Sequence, residues 1–242
     1  TLDADPMLLN MANGTLDLRT GKLREHSSLD MLTQLSGTEW DEKAGCPRWL
    51  QFLDEVFAGD QELIDYIQAA VGYSLTGSVE EHALFFCYGG GCNGKSTFLS
   101  VLQDMLGEYG HAGASGLLQQ RGMGRAHPTE QAMLHNKRLV VCQELEEGLP
   151  WAESVVKHLT GGDAIATRRM REDFWTMKPT HKLWVAGNAK PVVKEATDGI
   201  WRRMKLVPFT VSFEGREDTQ LERELRKELA GILTWAVEGA MR

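Results

Sequence analysis

A chain of 242 residues, 42% apolar and 25% charged, has enough material for one α/β core plus a small additional unit, and its composition is that of an ordinary globular protein. No apolar run approaches the roughly 20 residues that span a bilayer, and the N-terminus lacks the basic-then-apolar order of a secretion signal. A net charge of −8 argues against a protein that coats nucleic acid indiscriminately.

The total charge hides an asymmetry. Residues 157–205 carry 11 basic and 5 acidic side chains, which leaves the rest of the chain at −14. Charge alone fits either an ordinary fluctuation of surface residues or a basic element on an acidic body. The cysteines Cys46, Cys87, Cys92 and Cys142 form no C-x-x-C pair and have no histidines at zinc-ligand spacing. Cys87 and Cys142 sit in apolar runs as small hydrophobes, a pattern that fits a reducing cytoplasm. A start at Thr1 and a helical pattern running to the C-terminus read as a segment of a longer polypeptide.

In chain order, residues 8–24 contain the turn dipeptides Asn13-Gly14 and Thr20-Gly21 around the alternating run Thr15-Leu16-Asp17-Leu18, which predicts a small β-hairpin element. From Pro47 to Leu75 apolar residues recur at helical spacing, with a break at Ala58-Gly59-Asp60. Thr76-Gly77-Ser78 reads as a linker. We therefore expect a small, mostly helical unit over 1–77 and a second unit over 78–242. Three continuous apolar runs follow: residues 83–88, 139–142 and 183–186. Each suits a strand buried on both faces, and their spacing suggests crossovers and a mainly parallel sheet. Residues 217–242 return to a helical period.

Gly89-Gly90-Gly91-Cys92-Asn93-Gly94-Lys95-Ser96 matches G-x-x-x-x-G-K-[ST] between a predicted strand and a predicted helix. Glycines allow the backbone to curl so that several N–H groups face one anion, and the helix start adds its positive dipole end. This is a P-loop for ATP: Gly89 to Thr97 surround the phosphates, Lys95 charges the β- and γ-phosphates, and the Ser96 hydroxyl ligates Mg²⁺.

Phosphate chemistry also needs an acid near the metal and a group that orients water. The run 139–142 leads into Gln143-Glu144-Leu145-Glu146-Glu147, and ligands gather at the C-terminal ends of parallel strands. Glu144 is assigned as the principal Walker B acid and second metal-site residue. Glu146 is a further catalytic candidate, and Glu147 reads as a solvated loop residue. The third run ends at Gly187-Asn188, where an amide can hold the γ-phosphate or its water without adding charge.

Together these blocks resemble superfamily 3 helicases, a branch of the AAA+ ATPases, and in particular the helicase portion of phage and plasmid primase-helicases, related to the poxvirus primase-helicase. The motifs that carry the resemblance are Gly91 to Ser96, Glu144, Lys157 to Asp163, Gly187-Asn188 and Trp201-Arg202-Arg203. Asn13 to Asp17, Pro47 to Trp49, Gly59-Asp60 and Gly72 to Gly77 extend it through the N-terminal part. The implied fold is an AAA+-like P-loop α/β domain with helices flanking the sheet.

The resemblance implies that Asn188 is a sensor and that Arg202 or Arg203 is an arginine finger acting on a neighbouring subunit's ATP. It also implies a channel-facing hairpin within 157–182, where Lys157, Arg168, Arg169, Arg171, Lys178 and His181 are candidates to track DNA phosphates. The spacing of Glu144 and Glu146 departs from the adjacent acidic pair of some superfamily members, which leaves their division of roles open.

The implied activity is that of an ATPase and DNA helicase in phage or plasmid replication. It would act as a ring, expected to be a hexamer, on single-stranded or forked DNA in the bacterial host cytoplasm. A primase domain would lie elsewhere in the full-length chain, and no membrane is involved. The competing reading is an initiator or scaffold ATPase that binds DNA without unwinding it. A small-molecule P-loop kinase is disfavoured, because the finger and hairpin blocks stand where an acceptor site and lid would be.

Overall fold

The computed structural model describes residues 2–114, 117–119, 128–143, 151–188 and 198–242. It begins with a three-stranded antiparallel sheet: β1 (Leu8–Met11), β2 (Gly14–Asp17) and β3 (Lys22–Arg24). The expected hairpin is thus extended by one strand, reached through the turn at Thr20-Gly21. Leu9, Leu16 and Leu18 are fully buried beneath it.

Two helices follow, with the predicted break between them. Helix α1 (Pro47–Val56) starts with proline, whose missing N–H and fixed φ suit the first helical turn. Cys46 supplies no side-chain cap. Instead, the Glu228 carboxylate accepts from the amides of Arg48 and Trp49 at 3.1 and 3.0 Å, so a distant residue caps this helix. Ala58 and Gly59 turn the chain through positive φ, and the Asp60 side chain accepts from Leu63 N at 3.0 Å to start α2 (Gln61–Leu75).

The second part is built on β4 (Leu84–Tyr88), α3 (Lys95–Leu106), β5 (Gly110–Ala112), α4 (Pro128–Ala132), β6 (Leu139–Cys142) and α5 (Glu153–Thr160). After these come the short strands β7 (Ile165–Thr167) and β8 (Trp175–Met177), then β9 (Lys182–Gly187), α6 (Asp198–Trp201), β10 (Met204–Pro208), α7 (Leu221–Arg226) and α8 (Leu229–Ala240). Five strands form one sheet in the order β10-β4-β9-β6-β5, and every pairing in it is parallel. Strand β4, which leads into the glycine loop, therefore lies inside the sheet, and all five strands present their C-terminal ends on one edge. Among the described residues no helix is long and apolar enough to cross a membrane.

The sheet has a separate apolar cluster on each face, and the larger one removes the expected boundary near residue 77. It runs without interruption from Leu9, Leu16 and Trp49 to Phe98, Trp184 and Trp235. Trp49 of α1 stacks on Phe98 of α3 at 5.5 Å and meets Trp235 of α8 edge-on at 5.7 Å. Phe98 in turn contacts Trp184 of β9 at 5.7 Å, and Trp184 stacks on Phe85 of β4 at 4.5 Å. Helices α2 and α8 cross so closely that a Cβ on Gly72 would lie 2.2 Å from Ala240 N. Polar ties reinforce the join: the buried Arg138 donates to Pro6 O at 2.7 Å, and Trp184 Nε1 donates to Ser74 Oγ at 2.9 Å. The N-terminal 77 residues form one wall of a common core.

This packing has a direct consequence for truncation. Removing residues 1–77 would expose Phe98, Trp184 and Trp235, each contributing about 1.5–3 kcal/mol through burial, which together match the whole stability of an ordinary domain. The truncated chain is expected to lose its cooperative thermal transition and its near-UV circular dichroism. A sharp melt comparable to that of the intact chain would show that 78–242 is an independent unit.

Candidate functional site at the sheet edge

The loop between β4 and α3 owes its shape to contacts on both sides. Gly89, at φ 150°, brings the backbone so close to the end of β10 that a Cβ would stand 2.0 Å from Phe209 O. Gly94, at φ 84°, caps α3 and faces α1, where a Cβ would stand 2.8 Å from Val56 Cγ1 and 3.0 Å from Phe52. Asn93 is buried and spans the loop, donating through Nδ2 to Phe209 O at 3.0 Å and to Gly90 O. Its bracing role complements the phosphate contact expected from its place in the motif. Gly90 and Gly91 meet nothing within 4 Å beyond their Cα and border open space.

Lys95 is only 6% exposed, and its Nζ folds back to donate to Gly89 O at 2.7 Å, Gly90 O at 3.0 Å and Asn93 Oδ1 at 3.0 Å. Burial lowers its pKa from the ordinary lysine value. The ammonium thus occupies the hollow of the loop, held by neutral oxygens that an anion can replace at little cost. A cavity of about 450 Å³ opens in front of it, lined by Gly91 to Thr97, by Gln143 at the end of β6, and by Ala186, Gly187 and Asn188 at the end of β9. Parallel pairing sets this convergence, since Tyr88 is in register with Gly187. The structure therefore brings Lys95, Ser96 and Asn188 to one cavity. Gln143 also lines it, and its place directly after the apolar run 139–142 was the sequence signal for that position. Glu144, Glu146 and Glu147 lie outside the described residues.

Comparison with known proteins gives this geometry a context. Residues 1–58 match the family described as "D5 N terminal like", and residues 87–203 match a family of unknown function, DUF5906. The chain is 26% identical over 231 residues to "Putative helicase L207/L206" of Acanthamoeba polyphaga mimivirus, and 25% identical over 238 residues to "Putative helicase 121R" of Invertebrate iridescent virus 3. These alignments cover 94% of this chain but only 24% and 25% of those relatives, so the chain spans about a quarter of their length. Two apo structures of the NrS-1 C-terminal region (305–718) match its fold with TM-scores of 0.61 and 0.63 at 14% identity, covering 83% of this chain and 50% of theirs. The chain is thus similar to viral proteins named as helicases.

The remaining predicted residues fall into three groups. Arg202 and Arg203 precede β10, whose first residue Met204 is in register with Leu84 at the start of β4. They therefore lie at the opposite end of the sheet from the phosphate loop, on the order of 13 Å away along β4 at about 3.3 Å per residue. Arg202 is exposed, whereas Arg203 donates to Gly199 O at 2.7 Å and has a buried Nε with no partner among the described residues.

The second group is on the expected hairpin, where β7 and β8 pair antiparallel. Arg168, Arg169 and Arg171 are exposed at its tip, Lys178 is exposed just beyond β8, and the exposed Phe174 lies 4.9 Å beneath the Arg168 guanidinium. Lys157 stands on α5 and pairs with Glu153 at 3.3 Å.

The third group is His181 alone, and here the structure corrects the sequence reading. Its side chain is 2% exposed with both ring nitrogens unpartnered among the described residues, so it does not face DNA. It directly precedes β9, where the apolar periodicity of the strand already applies. Burial, aided by the nearby Lys182 and His111, pushes its pKa down from 6.5 to about 3.

That burial makes a pH prediction. Below pH 6.5 the unfolded chain takes up a proton at this imidazole that the folded chain refuses until about pH 3, so stability falls as pH drops through that window. The slope is at most about 1.4 kcal/mol per pH unit. Between about pH 7 and about pH 5, wild type should lose about 2 kcal/mol more than His181→Leu in urea unfolding. Equal losses would mean that the folded imidazole titrates normally.

Proposed function

We propose that this chain is the ATP-hydrolysing motor of a DNA helicase that works as a ring on single-stranded DNA, with each ATP held between neighbouring subunits. The observation that carries this is the cavity joining Lys95 and Ser96 of the phosphate loop to Asn188 at the end of β9. A loop whose lysine is held only by carbonyl and amide oxygens is poised for a polyanion. The helicase names of the viral relatives support the class of activity.

In this mechanism the ammonium of Lys95 leaves the loop carbonyls and binds the β- and γ-phosphates as ATP enters. The Asn188 amide, adding no charge, orients the water that attacks the γ-phosphorus as the bond to the ADP oxygen breaks. Ser96 is exposed on the cavity wall and suits a magnesium ligand; such sites use few protein ligands, with phosphate and water oxygens completing the shell. Glu144 would be the protein's second contribution to that site. Bound there, Mg²⁺ would neutralise the phosphate charge.

Arg202 and Arg203 lie at the far end of β4 from their own chain's loop, which supports contact with a neighbour's. Of the two, the exposed Arg202 is the better candidate for the finger, because Arg203 donates to Gly199 O. A guanidinium supplied in trans makes turnover depend on assembly. The hairpin tip, with Arg168, Arg169, Arg171 and the stacked Phe174, is suited to a single strand through phosphate charge and base stacking. Because β8 leads into β9, and Asn188 directly follows β9, one strand would link the DNA-facing hairpin to the γ-phosphate.

Three measurements test this reading. Lys95→Ala should abolish DNA-stimulated ATP hydrolysis; wild-type turnover in that variant would disprove the phosphate site. Arg202→Ala should retain ATP binding within about threefold yet lose on the order of 10³-fold in turnover, while Arg203→Ala acts mainly through stability. On a forked duplex, wild type should displace the strand with ATP. ATP hydrolysis without displacement would favour the initiator reading over the helicase.

A further inference from the structure

A cavity of about 460 Å³ lies beside the β7–β8 hairpin and shares no lining residue with the cavity in front of Lys95. Its walls come from Gln131 of α4, from Ser154, Val155 and His158 of α5, and from Ala166 of β7, with Phe174 at its edge just before β8. Several of these side chains have hydrogen-bonding capacity to spare. Gln131 is only 8% exposed, and neither it nor Ser154 nor His158 makes a side-chain hydrogen bond among the described residues.

Charge decides which class of ligand fits. No carboxylate, lysine or arginine lines this cavity, so neither a phosphate nor a cation would find a counter-charge inside it. An apolar side chain from a partner protein would fill the volume but leave the Gln131 amide, the Ser154 hydroxyl and the His158 imidazole buried without partners, at a cost for each. A neutral planar ring with polar edges meets both demands. Its faces can pack on Val155 and Phe174, while its edge donors and acceptors reach the amide, hydroxyl and imidazole. The volume agrees, since small-ligand sites span roughly 300–1,000 Å³.

The place of the cavity in the fold selects the source of that ring. Phe174 lines it and also lies 4.9 Å beneath the Arg168 guanidinium, with Arg169 and Arg171 exposed on the same turn. A single strand whose phosphates lie on those arginines carries its bases past the cavity mouth. The walls are also held in place before any ligand arrives. Thr167 Oγ1 donates to Pro128 O, which ties β7 to α4, and His135 meets Trp175 of β8 edge-on at 4.7 Å. We infer that this cavity takes one unpaired base, turned out of the single strand that the hairpin holds. The inference rests on the hairpin reading above and adds to it a base contact beyond phosphate charge and surface stacking. A duplex keeps its bases paired and stacked inside, so such a contact favours single strands.

The test compares binding of oligothymidine and of an abasic strand of equal length by the intact chain, since the two carry the same phosphates and differ only in bases. In fluorescence anisotropy, wild type should bind oligothymidine on the order of tenfold more tightly. Ala166→Leu narrows the cavity from an exposed strand position, and Gln131→Leu keeps the volume while removing the amide. Each should weaken oligothymidine by about threefold or more and leave the abasic strand within about twofold. Arg168→Ala should weaken both strands. If the two cavity variants change neither strand, or both equally, the base assignment is wrong. If Arg168→Ala changes neither, the hairpin reading itself is wrong, and the inference falls with it. Photocrosslinking of wild type to a strand containing 5-iododeoxyuridine is independent of any variant's folding: adducts on residues 128–131 or 154–158 support the assignment, and adducts confined to other peptides overturn it.

Discussion

Much of this structure depends on the close approach of α1 to the phosphate loop at Gly94. The glycine has a positive φ that starts α3, and the absence of a side chain lets Val56 and Phe52 rest against the loop. A phosphate cradle is a stretch of backbone with few contacts of its own, and it keeps its curvature only if something behind it resists collapse. Here that support is an aromatic column through Trp49, Phe98 and Trp184, which joins the N-terminal helices to α3 and the centre of the sheet. The Glu228 cap on α1 and the ion pairs of Arg48 bring the C-terminal helices into the same support.

The sheet then divides the functions by its direction. At the C-terminal edge stand Lys95, Ser96, Gln143 and Asn188, around the proposed phosphates. At the N-terminal edge stand Arg202 and Arg203, and the hairpin enters β9 there. In the proposed reading, a subunit arranged this way would present half of an ATP site at one end and a guanidinium for a neighbour's site at the other. Head-to-tail contacts of that kind are heterologous, and they close into rings when the rotation permits.

The sequence exposed the parts with strong local physics. A glycine loop between an apolar strand and an amphipathic helix is unambiguous, and β4, β6 and β9 read as continuous apolar runs because they are buried on both faces. The edge strands β5 and β10 were not legible: among the described residues each pairs with a single neighbour, so residues such as His111 and Lys205 interrupt the pattern. The single core was hidden for a different reason. Thr76-Gly77-Ser78 has the composition of a linker, and only tertiary packing reveals that the segments on either side share one core. Composition also misled at His181, since a histidine in a basic stretch resembles a DNA contact until the strand buries it. Nor does spacing distinguish Arg202 from Arg203, whereas in the structure Arg203 donates to Gly199 O and Arg202 is exposed.

Sharing the site between subunits is tested most directly by mixing two inactive proteins on single-stranded DNA, Lys95→Ala and Arg202→Ala. Each alone lacks one half of every site. In a mixed ring, about a quarter of the interfaces pair an intact Lys95 with an intact Arg202 from the neighbour, given random arrangement. A shared site predicts that ATP hydrolysis recovers toward that fraction of the wild-type rate. Hydrolysis that stays at the level of the separate variants, in rings shown to contain both, would contradict it.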